Sequence, residues 1–110
     1  MKVTISDRKL RKAAKSDSKL RKAYGYVCAK KIRQRLDDLD DALMLEEMRH
    51  AAGNFHELVG DRKGQWACHL ENPLRMIFIP HEDPIPMDEN SRFVWSEIYG
   101  VDIIEIVDYH

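Results

Sequence analysis

The spacing of apolar residues changes once along the chain, near Gly53. Before that point the repeat is helical. From Asp17 to about Ala42 the apolar positions are Leu20, Tyr24, Val27, Cys28, Ile32, Leu36 and Leu39. Steps of three and four residues put such a set on one helix face. Lysines and arginines fill the opposite side as far as Arg35. Upstream, "MKVTIS" alternates and predicts a short strand through Val3 and Ile5. Ser6 or Asp7 is placed to cap a first helix, "DRKLRKAAK", and "SDS" at 16–18 supplies a second cap and break. Downstream, "LDDLDD" would load acid onto a helix C-terminus, where the helix dipole disfavours it. The pattern therefore predicts a break around Asp40–Asp41, an Asp-capped short helix "ALMLEEMRHAA", and termination at Gly53.

After Gly53 the period shortens. "NFHELVGDRKG" is polar and punctuated by glycine, as a connecting loop is. "QWACHLE" alternates, with Trp66, Cys68 and Leu70 on one side. "NP" at 72–73 makes a turn, and "LRMIFI" follows as the second strand of a hairpin. Residues 80–97 contain Pro80, Pro84 and Pro86, a spacing that no central strand tolerates. They are expected to form a long connection outside the core, replaceable by a short turn without loss of the fold. "VDIIEIVDYH" closes the chain as a last strand. Helices first and strands later predict an α+β fold: a short strand and two or three helices packed on one face of a small, mostly antiparallel sheet. The length of 110 residues suits a single domain, 1–110.

Composition narrows the function classes. No apolar run approaches a membrane span, and no greasy stretch follows the basic N-terminal residues, so neither a membrane protein nor a secreted one is expected. Cys28 and Cys68 stand far apart, in no metal or redox spacing, which fits free thiols in a reducing cytoplasm. The histidines show no helix or finger spacing for zinc, and no cofactor motif is present. The net charge is −1, yet it is unevenly distributed. Residues 1–35 hold thirteen Lys/Arg and two Asp, a balance of +11; residues 36–110 hold five Lys/Arg and seventeen Asp/Glu, a balance of −12. A basic half of this kind suits phosphates or an acidic protein, or else forms the solvated face of amphipathic helices.

The candidate chemistry lies in the strand-rich half. The last strand runs into Asp108, Tyr109 and His110. In an ideal strand Asp108 and His110 share a face with Ile104 and Ile106, while Tyr109 points the other way. An acid beside an imidazole can orient the ring and hold its protonated form. His56 lies in the loop after the helices, followed by Asp61, Arg62 and Lys63, and Arg75 opens a strand. Gathered at one end of a sheet, these groups suit RNA cleavage without a metal. One removes the ribose 2′-OH proton, another protonates the leaving 5′-oxygen, and cations stabilise the pentavalent phosphate. The remaining candidates have plainer explanations. His50 and His69 read as surface or packing residues, His81 as solvent-facing, Trp66 and Phe78 as core, and Tyr24 and Tyr26 as helix packing. Trp95 either pins the 80–97 segment or offers a stacking surface.

The order "FHELVGDRKGQW", "RMIFIP" and "IIEIVDYH" resembles the HigB group of the RelE/ParE toxin superfamily, the plasmid-maintenance killer proteins of toxin–antitoxin pairs. The resemblance spans nearly the whole chain and is most specific over 56–78 and 104–110. It implies a RelE-like fold and a ribosome-dependent endoribonuclease, an mRNA interferase that inhibits translation and is silenced by a helix-turn-helix, HigA-like antitoxin. By position it implies catalytic roles for His56, Asp108, Tyr109 and His110, and phosphate contact by Arg75. Three features depart from the pattern. Val59 stands where the family often has lysine, so Arg62 or Lys63 would have to supply that charge. Leu74 replaces a frequent aromatic, and 80–97 lengthens a connection that is short in many relatives. The loss of the lysine keeps a second expectation open: a RelE-fold protein that binds antitoxin or ribosome without efficient cleavage.

Overall fold

A computed structural model describes residues 1–108. Its elements run β1 (Lys2–Ile5), α1 (Arg8–Ala13), α2 (Asp17–Tyr24), α3 (Tyr26–Asp41), β2 (His56–Glu57), β3 (Trp66–His69), β4 (Arg75–Pro80) and β5 (Gly100–Val107). The sheet order is β1-β5-β4-β3-β2. β1 pairs with β5 in parallel, and the other pairings are antiparallel. The expected α+β architecture is what the chain adopts.

The helices start where the sequence places caps. Asp7 accepts a hydrogen bond from Leu10 N at 2.9 Å, and Ser16 accepts one from Lys19 N at 3.1 Å. The expected continuous helix from Asp17 is instead two helices. Gly25, at φ +83°, ends α2 and opens α3, a conformation that costs a side-chain-bearing residue but not glycine. The break leaves Tyr26 and Val27 exposed at 69% and 48%, so neither packs as helical periodicity suggested. Helix α3 ends at Asp41, as expected. Its acidic end is offset by the Met1 amino group, which donates to the carbonyls of Leu39 and Asp40 at 3.3 and 2.7 Å. The short helix that follows is a 3-10 segment, Leu45–His50, without an Asp cap.

Leu10, Leu20, Ile32, Leu36 and Leu39 from the helices share one core with Trp66, Cys68, Met76, Phe78, Val101 and Ile103 from the sheet. That puts the helical layer on one sheet face. The other face carries a smaller cluster of Leu58, Ala67 and Ile77, with Ile104 and Val107 packed against it.

Three further expectations are corrected. The "NFHELVGDRKG" segment is more than a loop: Phe55 and Leu58 are buried, and between them His56–Glu57 pair with β3 as a fifth strand. A bulge in the β4–β5 ladder, where Ile77 faces Glu105 but Phe78 faces Ile103, inserts Ile104 as an extra residue. Ile104 and Ile106 consequently lie on opposite faces, with Ile106 against the main core. Finally, the 80–97 segment is not peripheral. Trp95 is 4% exposed, stacks edge-on to Trp66 at 5.5 Å and donates its indole N–H to Glu57 at 3.0 Å.

Candidate active site

Strand pairing decides which side chains share a face, and it collects imidazoles on the face away from the helices. Ile77 and Ala67 are register partners in the smaller cluster, so their face is fixed. His56 pairs with Ala67, and His69 pairs with Arg75, two residues from Ile77. With a period of two, His56, His69, Arg75 and Glu105 all belong to this face.

The two imidazoles are held by one residue. Asn54 sits in the left-handed region at φ +51°, which asparagine tolerates better than most residues. Its carbonyl accepts a hydrogen bond from His56 Nδ1 at 2.7 Å, and its side-chain amide donates to His69 Nε2 at 2.8 Å. The rings stand perpendicular, with centroids 6.2 Å apart. Burial lowers the His69 pKa from its ordinary value, and the charges of Arg75, His56, Arg35 and Lys31 push it further the same way. The shift gives the fold a pH dependence with a definite sign. The unfolded chain binds the His69 proton more readily, so this contribution to stability is present above the ordinary histidine value and is lost as pH falls below it.

Behind the pair stands Arg35, a buried arginine on the inward face of α3. Its Nε donates to the His69 carbonyl at 2.9 Å. Its guanidinium also fills the space a side chain at Gly53 would need: a Cβ there would lie 2.5 Å from Arg35 Nε. Gly53 is at φ +109°. Gly53→Ala should therefore cost about 1–3 kcal/mol through backbone strain and displace Arg35, seen as a lower urea midpoint. Arg35 was grouped with the solvated cations, yet Cys28, Ile32, Arg35 and Leu39 recur at steps of four, three and four. That signal could have found it.

The other anticipated residues lie at varying distances from this centre. Arg75 pairs with His69 on one side and Val107 on the other, and its guanidinium reaches Asn72 Oδ1 at 3.2 Å and the Leu74 carbonyl at 2.9 Å. Asp108 follows Val107 and is exposed, so β5 ends level with Arg75. Tyr109 and His110 lie outside the described residues. Arg62 turns to Glu105 at 2.6 Å and Gln65 at 2.9 Å, and Lys63 lies over the Phe93 ring at 5.6 Å. Val59 is 83% exposed. His81 is half-buried and hydrogen-bonds through Nε2 to Thr4 Oγ1 at 2.8 Å, so it is not the solvent-facing residue expected. The sequence singles out neither Asn54 nor the position of His69, which the structure places beside His56.

Cys28 and Cys68 are free and buried. Burial pushes the Cys68 thiol up to about 12, which rules it out as a nucleophile at neutral pH. Among the described residues no group of three or more His, Cys, Asp or Glu could hold a metal ion. No helix among them is long and apolar enough to cross a membrane.

No protein-family model matches the sequence. No curated protein matches it. The solved structures do supply a likeness: a YoeB/ParE toxin from Agrobacterium tumefaciens superposes with a TM-score of 0.60, at 11% identity, over 100% of both chains. At that identity the likeness concerns backbone architecture, and it covers every element from β1 to β5. The chain thus has the fold of a YoeB/ParE toxin.

Proposed function

We propose that this chain is the toxin of a type II toxin–antitoxin pair: a HigB-like, metal-independent endoribonuclease that cleaves mRNA on the ribosome in the cytoplasm. The observation that carries it is the clustering of His56, His69 and Arg75 on the face of a toxin-like sheet that lies away from the helices. RNA cleavage by its own 2′-OH needs two proton transfers and a cation near the phosphate. His56, with Asp108 and the Tyr109 and His110 that follow it in sequence, supplies the proton-carrying groups. Arg75 supplies charge, and Arg62 and Lys63 extend it once RNA competes for their present contacts. The partners are ribosome, mRNA and a helix-turn-helix antitoxin. Induction in bacteria should arrest growth and produce mRNA cut within reading frames. Co-expression of an antitoxin from a neighbouring reading frame should relieve the arrest. Arrest without any cleavage would instead favour the binding-protein reading, to which the exposed Val59 and the engagement of Arg62 by Glu105 point.

The helical layer is suited to the ribosome. A groove of about 500 Å³ between α1 and α2 is lined by Lys9, Lys12, Lys15, Lys19 and Lys22. Reversing Lys12, Lys19, Lys22 and Lys30 to Glu should weaken ribosome binding and flatten its salt dependence. Arg33 is left intact because it holds Asp17 and the Ala14 carbonyl. Equal affinity of reversed and unaltered chains across a salt series would contradict the assignment.

A further inference from the structure

We infer that His69 is the group that takes the proton from the ribose 2′-OH, that Asn54 is its positioning residue, and that His56 is the paired proton donor. This rests on the reading of the chain as a ribonuclease. The assignment follows from how one asparagine treats two rings. A backbone carbonyl can only accept a hydrogen bond, so His56 Nδ1, 2.7 Å from the Asn54 oxygen, carries a hydrogen. The Asn54 side-chain nitrogen can only donate, so His69 Nε2, 2.8 Å away, holds a lone pair. The same residue thus fixes one ring as a donor and the other as an acceptor. The surroundings agree. His69 is half-buried and pairs across the ladder with Arg75, and Arg35 holds its carbonyl, so cations on both sides oppose its protonation. Asn54 thus sets the tautomer of two adjacent imidazoles, a pairing suited to acid–base catalysis near neutral pH.

The step balances without a metal or redox partner. His69 Nε2 leaves the Asn54 amide and accepts the 2′-OH proton as O2′ attacks phosphorus. The P–O5′ bond breaks, and O5′ takes a proton from His56. The products are a 2′,3′-cyclic phosphate and a 5′-hydroxyl. Return of one proton from His69 to His56 through water restores the starting forms. Arg75, the register partner of His69, supplies a cation for the charge that develops on the phosphate oxygens.

The test uses the full chain on ribosomes programmed with a defined mRNA, under single-turnover conditions from pH 5 to 9. His69→Gln keeps an amide partner for Asn54. It should unfold at the temperature of the unaltered chain, cleave about a hundredfold more slowly, and lose the acidic limb of the rate profile. Asn54→Ala should lose less rate but move that limb towards the ordinary histidine value. Histidine ¹⁵N spectra of the free protein should show His69 with an unprotonated nitrogen at pH 7. A His69→Gln chain that cleaves as fast with the same acidic limb overturns the inference alone, as does a His69 that is charged at pH 7. An unaltered chain that does not cleave overturns the ribonuclease reading, and the inference with it.

Discussion

A chain carrying His56→Ala will cleave mRNA on translating ribosomes at least about a hundredfold more slowly than the unaltered protein, the usual scale for losing a general acid or base. Folding should barely register the change. His56 is half-buried on a two-residue edge strand, and its hydrogen bond to the Asn54 carbonyl is worth about 1 kcal/mol. A rate collapse with a preserved unfolding midpoint would separate chemistry from stability. Removing His110 should have the same signature, since a last residue adds little to a core. If both altered chains fold, cleave and arrest growth like the parent, the imidazoles are ordinary surface groups and the assignment of the site to them fails.

The second large effect is on stability. Trp95→Ala should cost about 3–5 kcal/mol, the range for deleting a buried aromatic side chain, read as a lower urea midpoint. Trp95 is 4% exposed, stacks against Trp66 and lies 5.1 Å from the Phe93 ring. Its N–H satisfies Glu57, which also binds Arg49 at 2.9 Å, so truncation leaves a carboxylate and a cavity to accommodate. Exchanging residues 82–96 for a short turn should be worse still, because it removes Trp95 together with Phe93 and Ile85. A loss below about 1 kcal/mol, ordinary for a surface position, would show that this segment is peripheral after all.

Periodicity made the helical face, the β3–β4 hairpin and the last strand legible, because each buries side chains at its own repeat. Gly25 went unnoticed as a break because the apolar stripe continues in phase on both sides of it, and glycine in a helical pattern looks tolerable until its φ is known. Trp95 was ambiguous because prolines hide a segment's destination: they exclude a strand but say nothing about whether a side chain is buried. Within the candidate site, His56 and Arg75 are the residues that the resemblance singles out. His69 is not among them, since its significance depends on standing beside Arg75 across the ladder and under Asn54, relations that no local spacing encodes. The bulge at Ile104 is equally invisible to alternation, and it moves Ile106 to the face opposite Ile104.

Arg35 has a further consequence for genetics. It is anchored in α3 among Ile32, Leu36 and Leu39, and it ends against Gly53 and the His69 carbonyl. On the proposed function as a ribonuclease toxin, random mutagenesis scored for survival should return two families of harmless variants from separate stretches of sequence. One will alter the imidazole-bearing strands. The other will fall on the turn of α3 from Ile32 to Leu36, where no side chain needs to approach RNA for the substitution to disarm the protein.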